Sequence, residues 1–502
     1  MRTLLSALLL TVAFPAMAEP SSQTLLIVLD GLRPDYVTPE RMPNLHALGE
    51  RGVVCEQHHA VFPTVTRVNA ATFSTGAYPE THGLLGNTVY FPDVDERPMS
   101  TANYENLLRI EEATDGKLLQ ATTLGEHLQA AGKKLLVVSS GSSGSSFLLN
   151  HKVAGGAIIN VDYVLPESLQ PRVKAAIGET PEESLPNKAR NHWVVDAYLE
   201  FGLKEIQPDV TYMWLSDPDG TAHTFGVGHP NTDEALATVD AEVGRIIDTL
   251  RERGLLDTTD ILVSSDHGFS DFVMSPSPYT LIQNVLDRHD LEREDCVAAG
   301  SAFYLSEAAL PHLAEVVELL QQAPFVGAIF TPEKDPGSEL GIIPGTLSQS
   351  LVRWQHPRSS VLLVSPNWTD EENDYGLKGK SRRMGVAGHG SSSPYEIHNT
   401  LIVAGPSFRT GARSSLPTHN VDIAPTIAHI RGLPPIPSAD GRVLKELLKG
   451  GPEPASLSSV TEKVEASTTL PDGDTVTFTA VFSGVEEYRY LDRTEASRAT
   501  GK

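Results

Sequence analysis

Thr24-Leu-Leu-Ile-Val-Leu-Asp30-Gly31 is an apolar run closed by a carboxylate and a glycine. A short run of this kind, ended by a turn signal, reads as a strand buried on both faces. Similar runs make Lys134–Val138, Val210–Leu215, Ile261–Ser264 and Leu401–Ala404 expected strands. Helix-like stretches separate them, expected at Asn44–Arg51, Leu119–Ala131, Thr232–Arg253 and Ile423–Ile430. Short buried strands alternating with helices describe a sheet covered on both sides. The expected fold is α/β, a three-layer α/β/α sandwich with a mostly parallel central sheet.

The ends of the chain follow other rules. Met1-Arg2-Thr3 is a short basic start, Leu4 to Phe14 is apolar, and Ala16-Met17-Ala18 is a small-x-small cleavage site. Residues 1–18 therefore read as a secretory signal peptide too short to span a bilayer. The mature protein is expected in the periplasm or secreted, with no membrane anchor after cleavage. Residues 19–450 form the expected catalytic unit. Within it, residues 275–383 lack the clean alternation, are rich in Pro, Gly and charge, and read as a cap or insertion. In the remainder, 451–502, Thr475-Val-Thr-Phe-Thr-Ala-Val-Phe482 alternates with period two and predicts a small β appendage.

With 40% hydrophobic residues the chain supports a substantial core, and its net charge of −25 argues against nucleic acid as a main partner. The two cysteines, Cys55 and Cys296, fit either one long-range disulfide or two buried thiols. Neither stands in a metal-like spacing.

The chemistry lies where apolar runs end. Asp30 sits at a strand's carboxyl end, where ligand sites of open α/β sheets gather. Asp219 and His223, in Asp217-Pro-Asp219-Gly-Thr-Ala-His223, are four apart and meet on one helical turn. Asp217 is the alternative ligand there. Asp266-His267-Gly268 ends the run Ile261-Leu-Val-Ser-Ser, and its glycine permits the turn that lets both side chains face one ion. His389 stands between Gly388 and Gly390. His58, His59, His398 and His419 have no comparable context. Carboxylates mixed with imidazoles suit a pair of divalent metal ions, Zn2+ first and Mn2+ as the alternative. The remaining need is a nucleophile. Phe62-Pro-Thr-Val-Thr66-Arg67-Val-Asn69 supplies Thr66, whose hydroxyl requires a metal or base to activate it.

Taken in order, Asp, Thr, Asp-x-x-x-His, Asp-His and His-Gly resemble the alkaline phosphatase superfamily, closest to its nucleotide pyrophosphatase/phosphodiesterase branch. The likeness covers Thr24 to about Tyr90, Val210 to about Asp271, and Gly385 to about Leu444. It implies that Asp30, Asp266 and His267 hold the metal that activates Thr66. Asp219, His223 and His389 would hold a second metal beside the leaving group. Asn87, in His82-Gly-Leu-Leu-Gly-Asn87, matches the asparagine that hydrogen-bonds the phosphoryl group. Val421-Asp422-Ile-Ala-Pro425-Thr and Asp440-Gly-Arg442 match a C-terminal signature that reads as structural.

Two departures bear on the substrate. Arg67 stands where nucleotide-cleaving relatives often carry an aromatic residue, which points to an anionic or polar substituent or, equally, to pairing with a surface acid. Some periplasmic monoesterases of the superfamily carry a Lys-x-Arg pair after a strand. Here the corresponding Ser139–Ser146 stretch holds no cation, leaving Lys152 or Arg67 as the one to reach the site. Missing charge compensation handicaps a dianionic monoester more than a monoanionic diester. Thr66-Arg-Val-Asn also lacks the modifiable Cys or Ser of sulfatases. The resemblance thus implies an exported dinuclear-metal hydrolase of small phosphate esters, cleaving phosphodiester or pyrophosphate bonds through a phospho-threonine intermediate. The alternatives are a phosphomonoesterase or phosphonate hydrolase, or a non-catalytic binding protein for metal and phosphate esters.

Overall fold

The computed structural model describes residues 22–501, so the leader expected at residues 1–18 lies outside the described residues. Among the described residues, Gln23–Leu29 is the middle strand of a nine-stranded sheet. The strand order is Ala412–His419, Val53–His59, His398–Ala404, Thr259–Ser264, Gln23–Leu29, Val210–Leu215, Leu135–Ser139, Ala157–Asn160, Val164–Leu165. Gln23–Leu29 pairs in parallel with both neighbours, placing Leu29 opposite Leu215 and Val28 opposite Ser264. His398–Ala404 runs antiparallel to both of its neighbours, and the short Val164–Leu165 is antiparallel to Ala157–Asn160.

Side chains of a strand alternate between faces. Leu25, Ile27 and Leu29 therefore enter one core while Leu26 and Val28 enter the other. The first lies under helices Pro43–Arg51 and Pro230–Glu252. Helices Thr66–Thr75, Ser143–Leu149 and Ile423–Ile430 cover the second. This is the expected α/β/α sandwich.

Some element borders differ from expectation. The helix expected over Leu119–Ala131 runs only from Leu124 to Ala130. Thr123 and Glu126 form a reciprocal capping box that starts it, and Leu118 and Leu119 are buried as loop. The helix expected from Thr232 begins at Pro230, because proline is tolerated in the first turn and His229 caps it.

Residues 275–383 carry helices Pro278–Arg288 and Leu313–Gln322 and a five-stranded sheet that includes Ala302–Leu305, Val326–Thr331 and Leu362–Pro366. The C-terminal strands Ser459–Thr469, Thr475–Val485 and Tyr488–Ala499 form an antiparallel sheet. The two sheets share one apolar core, where Phe303 and Phe330 cluster with Val476, Phe478 and Phe482. Phe62, just before the Thr66 turn, and Leu85, two positions before Asn87, reach into that same core. Cys55 and Cys296 are buried, unpaired and in different cores, and burial pushes each thiol up to about 12. Among the described residues no helix is long and apolar enough to cross a membrane.

Candidate active site

Three of the loops that leave the central sheet at its carboxyl end carry ligand-type side chains. Asp30 follows Gln23–Leu29 directly. Asp219 and His223 lie on the helix Asp219–Phe225 just beyond Val210–Leu215, one turn apart as their spacing predicts. Asp266 and His267 leave the end of Thr259–Ser264. His389 arrives from far along the chain. The short strand Ala387–Gly388 pairs with Ser270–Phe272, Ser270 opposite Gly388, so one ladder brings the His389 and His267 loops together. Their rings stack with centroids 3.4 Å apart.

The side chains form two triads, Asp30 with Asp266 and His267, and Asp219 with His223 and His389. In the first, His267 Nε2 lies 3.0 Å from Asp266 Oδ2 and 3.6 Å from Asp30 Oδ1. In the second, His223 Nε2 and His389 Nε2 each lie 3.3 Å from Asp219 Oδ1. Bonds of about 2.1 Å at tetrahedral angles separate neighbouring ligand atoms by roughly 3.4 Å. The triads meet where His267 Nε2 stands 4.0 Å from Asp219 Oδ1. Asp217, the alternative ligand, is instead consumed by Thr221, Asn187 and Asn191.

The donor set suits divalent cations. Asp30 Oδ1, Asp219 Oδ1 and Asp266 Oδ2 are buried without a hydrogen-bond partner among the described residues. Each histidine has its other nitrogen occupied by a backbone carbonyl. His267 Nδ1 donates to Gly268 O (2.9 Å), His223 Nδ1 to Ala387 O (3.0 Å) and His389 Nδ1 to Thr64 O (2.7 Å). That bond holds the Nδ1 proton on the carbonyl and leaves Nε2 as the nitrogen that faces the carboxylates. The carboxylates are fixed as well, Trp214 Nε1 donating to Asp30 Oδ2 at 2.9 Å and Gly31 N to Asp266 Oδ1 at 3.1 Å.

Electrostatics report the same crowding. Burial, then the Asp266 and Asp219 charges, push the Asp30 carboxyl well above the usual range. Burial opposes charge on His223, yet Asp219 outweighs it and lifts the ring to about 9. Burial drives His389 well below its ordinary value, helped by His267. Carboxylates crowded in this way need cationic partners.

Thr66 begins the helix Thr66–Thr75, and its Oγ1 lies 3.5 Å from His267 Nε2, beside the first triad. Asn87 Oδ1 accepts from the Arg67 amide at 2.9 Å, which fixes the Asn87 carboxamide one residue from Thr66. Arg67 forms no ion pair among the described residues. Its buried Nε lacks a partner, and its guanidinium feels Asp30, Asp219 and Asp266 while burial pulls its pKa down. The surface-acid reading of Arg67 thus finds no partner.

A cleft of about 250 Å³ opens here, lined by Val65, Asn87, His223, Trp354, Arg383 and His389 among others. Lys152 does not reach it, because Lys152 pairs with Glu111 and Gly116 O. The Ser139–Ser146 stretch is pinned rather than loose. Ser142 caps the helix Ser143–Leu149, and Ser140 bonds Asn191 at 2.6 Å. Sequence reasoning did not find Trp214 or Arg383. Trp214 counted only as one more apolar strand residue, and Arg383, whose Nη1 donates to His389 O at 2.7 Å, lay in the irregular insertion without a motif.

The C-terminal signature holds the scaffold. Asp422 accepts from the Arg442 amide and from Tyr490 Oη of the C-terminal sheet. Asp440 accepts from the Tyr78 amide.

Comparison with known proteins agrees with this picture. Mouse (Mus musculus) bis(5'-adenosyl)-triphosphatase ENPP4 is 24% identical over 424 residues, covering 82% of this chain and 78% of the mouse protein. The venom phosphodiesterase CdcPDE of Crotalus durissus collilineatus is 25% identical over 252 residues, half of this chain and 26% of the venom protein. Among solved structures, an inactive variant of murine ectonucleotide pyrophosphatase/phosphodiesterase 5 in complex with AMP shares the fold, with a TM-score of 0.61 at 19% identity, over 86% of this chain and 100% of that one. A mutant of the alkaline phosphatase PafA gives a TM-score of 0.65 at 16% identity over the same shares. Residues 24–324 match the family described as Type I phosphodiesterase / nucleotide pyrophosphatase, and the chain belongs to that family of hydrolases.

Proposed function

We propose that this chain hydrolyses phosphodiester or pyrophosphate bonds in small phosphate esters, with Thr66 as nucleophile and a phospho-threonine intermediate. The observation that carries the proposal is the pair of triads with three partnerless carboxylate oxygens, and Thr66 Oγ1 beside the first. Asp30, Asp266 and His267 would hold one divalent ion, most suitably Zn2+, and Asp219, His223 and His389 the other. When bound, such ions lower the pKa of a coordinated hydroxyl and offset charge on the attacking and leaving oxygens.

The chain's own residues do the rest. Thr66 Oγ1 gives up its proton to solvent and attacks phosphorus in line, its bond to phosphorus forming as that to the leaving oxygen breaks, and the leaving oxygen takes a proton from solvent. Asn87, its carbonyl oxygen held by the Arg67 amide, would donate from its NH2 group, which has no partner among the described residues, to a phosphoryl oxygen. Water then attacks the phospho-threonine, the phosphorus–Oγ1 bond breaks, and the Thr66 hydroxyl is restored. In this reading residues 19–450 carry catalysis under the cap at 275–383, with 451–502 as the appendage. Export to the periplasm or beyond rests on the residue 1–18 leader.

A second reading, a phosphomonoesterase or phosphonate hydrolase, is favoured by one observation, the Arg67 guanidinium, which feels the triad carboxylates and whose Nε has no partner among the described residues. Comparing kcat/KM for an aryl phosphodiester, a nucleotide diester, a monoester and a phosphonate separates the readings, and dominance of the monoester overturns the first. Thr66→Ala is expected to keep its metal content and lose turnover on every substrate. Full activity in that variant would sink the covalent route.

A further inference from the structure

His58, His59, His398 and His419, four histidines without motif context, lie together: the His59 ring meets those of His398 and His419, and His58 feels His59 and His398. His59 ends the strand Val53–His59 and His398 begins His398–Ala404, and the two are register partners across that pair. Asp492 comes from the last C-terminal strand, Tyr488–Ala499. One ligand-type atom from each of His59, His398 and Asp492 lies within 4.8 Å of the others. None of the three belongs to the active-site triads.

The hydrogen bonds repeat the pattern of the active site. His59 Nδ1 donates to the Thr418 carbonyl at 2.9 Å, as the three triad histidines do to theirs. Its Nε2 lone pair then faces Asp492 Oδ1 at 2.7 Å. Two acceptors so placed require a proton or a cation between them. Asp492 Oδ2 in turn accepts from Ser483 Oγ at 2.8 Å, an outer bond of the kind that orients a ligating carboxylate. His398 brings a third donor atom to the same point, its ring centroid 4.6 Å from that of His59. A simple imidazolium–carboxylate pair has no use for it. His59 and Asp492 are buried and His398 is only partly exposed. A small rotation of Asp492 opens the 2.7 Å contact towards the roughly 3.4 Å edge that ligands on one tetrahedral ion require.

We propose that His59, His398 and Asp492 bind a divalent cation of the zinc class, separate from the active site, that fastens the C-terminal sheet to the core. The fourth position on such an ion is left to water. The clasp has a consequence for the site, because His59 lies seven positions before Thr66, so the ion anchors the strand that leads into the nucleophile turn.

The test is a zinc count by plasma mass spectrometry on the full chain, loaded with Zn2+ and dialysed. Asp492→Asn is expected to lower the count by one ion per chain, whatever the wild-type number, and to lower Tm. An Asp30→Asn/Asp219→Asn chain, emptied at the active site, is expected to keep one ion and to lose it when Asp492→Asn is added. The count thus distinguishes failure of the dinuclear reading from failure of this one. If Asp492→Asn does not fold, His398→Ala, at the partly exposed ligand, carries the same expectation. A folded Asp492→Asn or His398→Ala chain that binds as much zinc as wild type overturns the proposal.

Discussion

Trp214→Phe isolates a single hydrogen bond at the first triad. The indole Nε1 of Trp214 donates to Asp30 Oδ2 at 2.9 Å, with both groups buried. Phenylalanine keeps a ring in the core beside Phe73 but removes the donor. A hydrogen bond to a charged group contributes about 1.5–3 kcal/mol, and losing an outer-shell partner typically weakens metal binding about 10–100-fold. At about 1.4 kcal/mol per tenfold the two ranges agree. The variant is therefore expected to bind the ion proposed at the Asp30 triad about 10–100-fold more weakly, with the Asp219 triad unchanged. The assay is competition for zinc against a chromophoric chelator, starting from metal-free protein, followed by kcat at limiting and saturating zinc. Activity should fall at limiting zinc and return to within a few-fold of wild type at saturation. Phe73→Leu, which disturbs the same packing and spares the donor, is the control for a merely steric effect. Unchanged affinity at both sites, or a loss that excess zinc does not restore, would refute the assignment of Trp214 as a positioning residue for the Asp30 ligand.

Three further outcomes can be checked. Arg67→Ala should leave metal content unchanged, lower diester kcat/KM about tenfold, and cost a dianionic monoester about 100-fold or more, since charge compensation grows with substrate charge; equal losses on both would remove Arg67 from substrate contact. Burial pushes the Asp422 carboxyl up to about 6 against an ordinary 3.8. A raised carboxyl favours the protonated fold, so its stabilising contribution is present below about pH 4 and lost as pH rises through 6. At roughly 1.4 kcal/mol per pH unit, wild-type stability relative to Asp422→Asn should drop by about 3 kcal/mol between pH 4 and 7 in urea titrations; a flat difference contradicts it. Phe478→Ala, fully buried in the core shared by the insertion and the C-terminal sheet, should destabilise by about 3–5 kcal/mol. If instead only the C-terminal strands melt early, the shared core is not a cooperative unit.

The sandwich and most of the candidate ligands were legible in local patterns, whereas their division into two triads came from the family resemblance. Strands buried on two faces must be apolar runs, and a carboxylate at the end of such a run falls on the ligand-binding edge of the sheet, as Asp30, Asp219 and Asp266 do. The spacing of Asp219 and His223 reports a helical turn without reference to anything distant. His389 was found by its order in the family pattern rather than by its own surroundings. What brings it to His267 is a two-residue ladder between segments more than a hundred positions apart.

Direction and distance between remote segments are set only by packing. Nothing local tells that Trp214 aims its N–H at Asp30, that Arg67 meets no acid in an ion pair among the described residues, or that Arg383 reaches the His389 carbonyl. The same holds for His59, His398 and Asp492, spread over more than four hundred positions and unremarkable one by one. Periodicity records which face a residue occupies, and so it survives in sequence. A hydrogen bond between such distant residues depends on sheet register and packing, which exist only once the chain has folded.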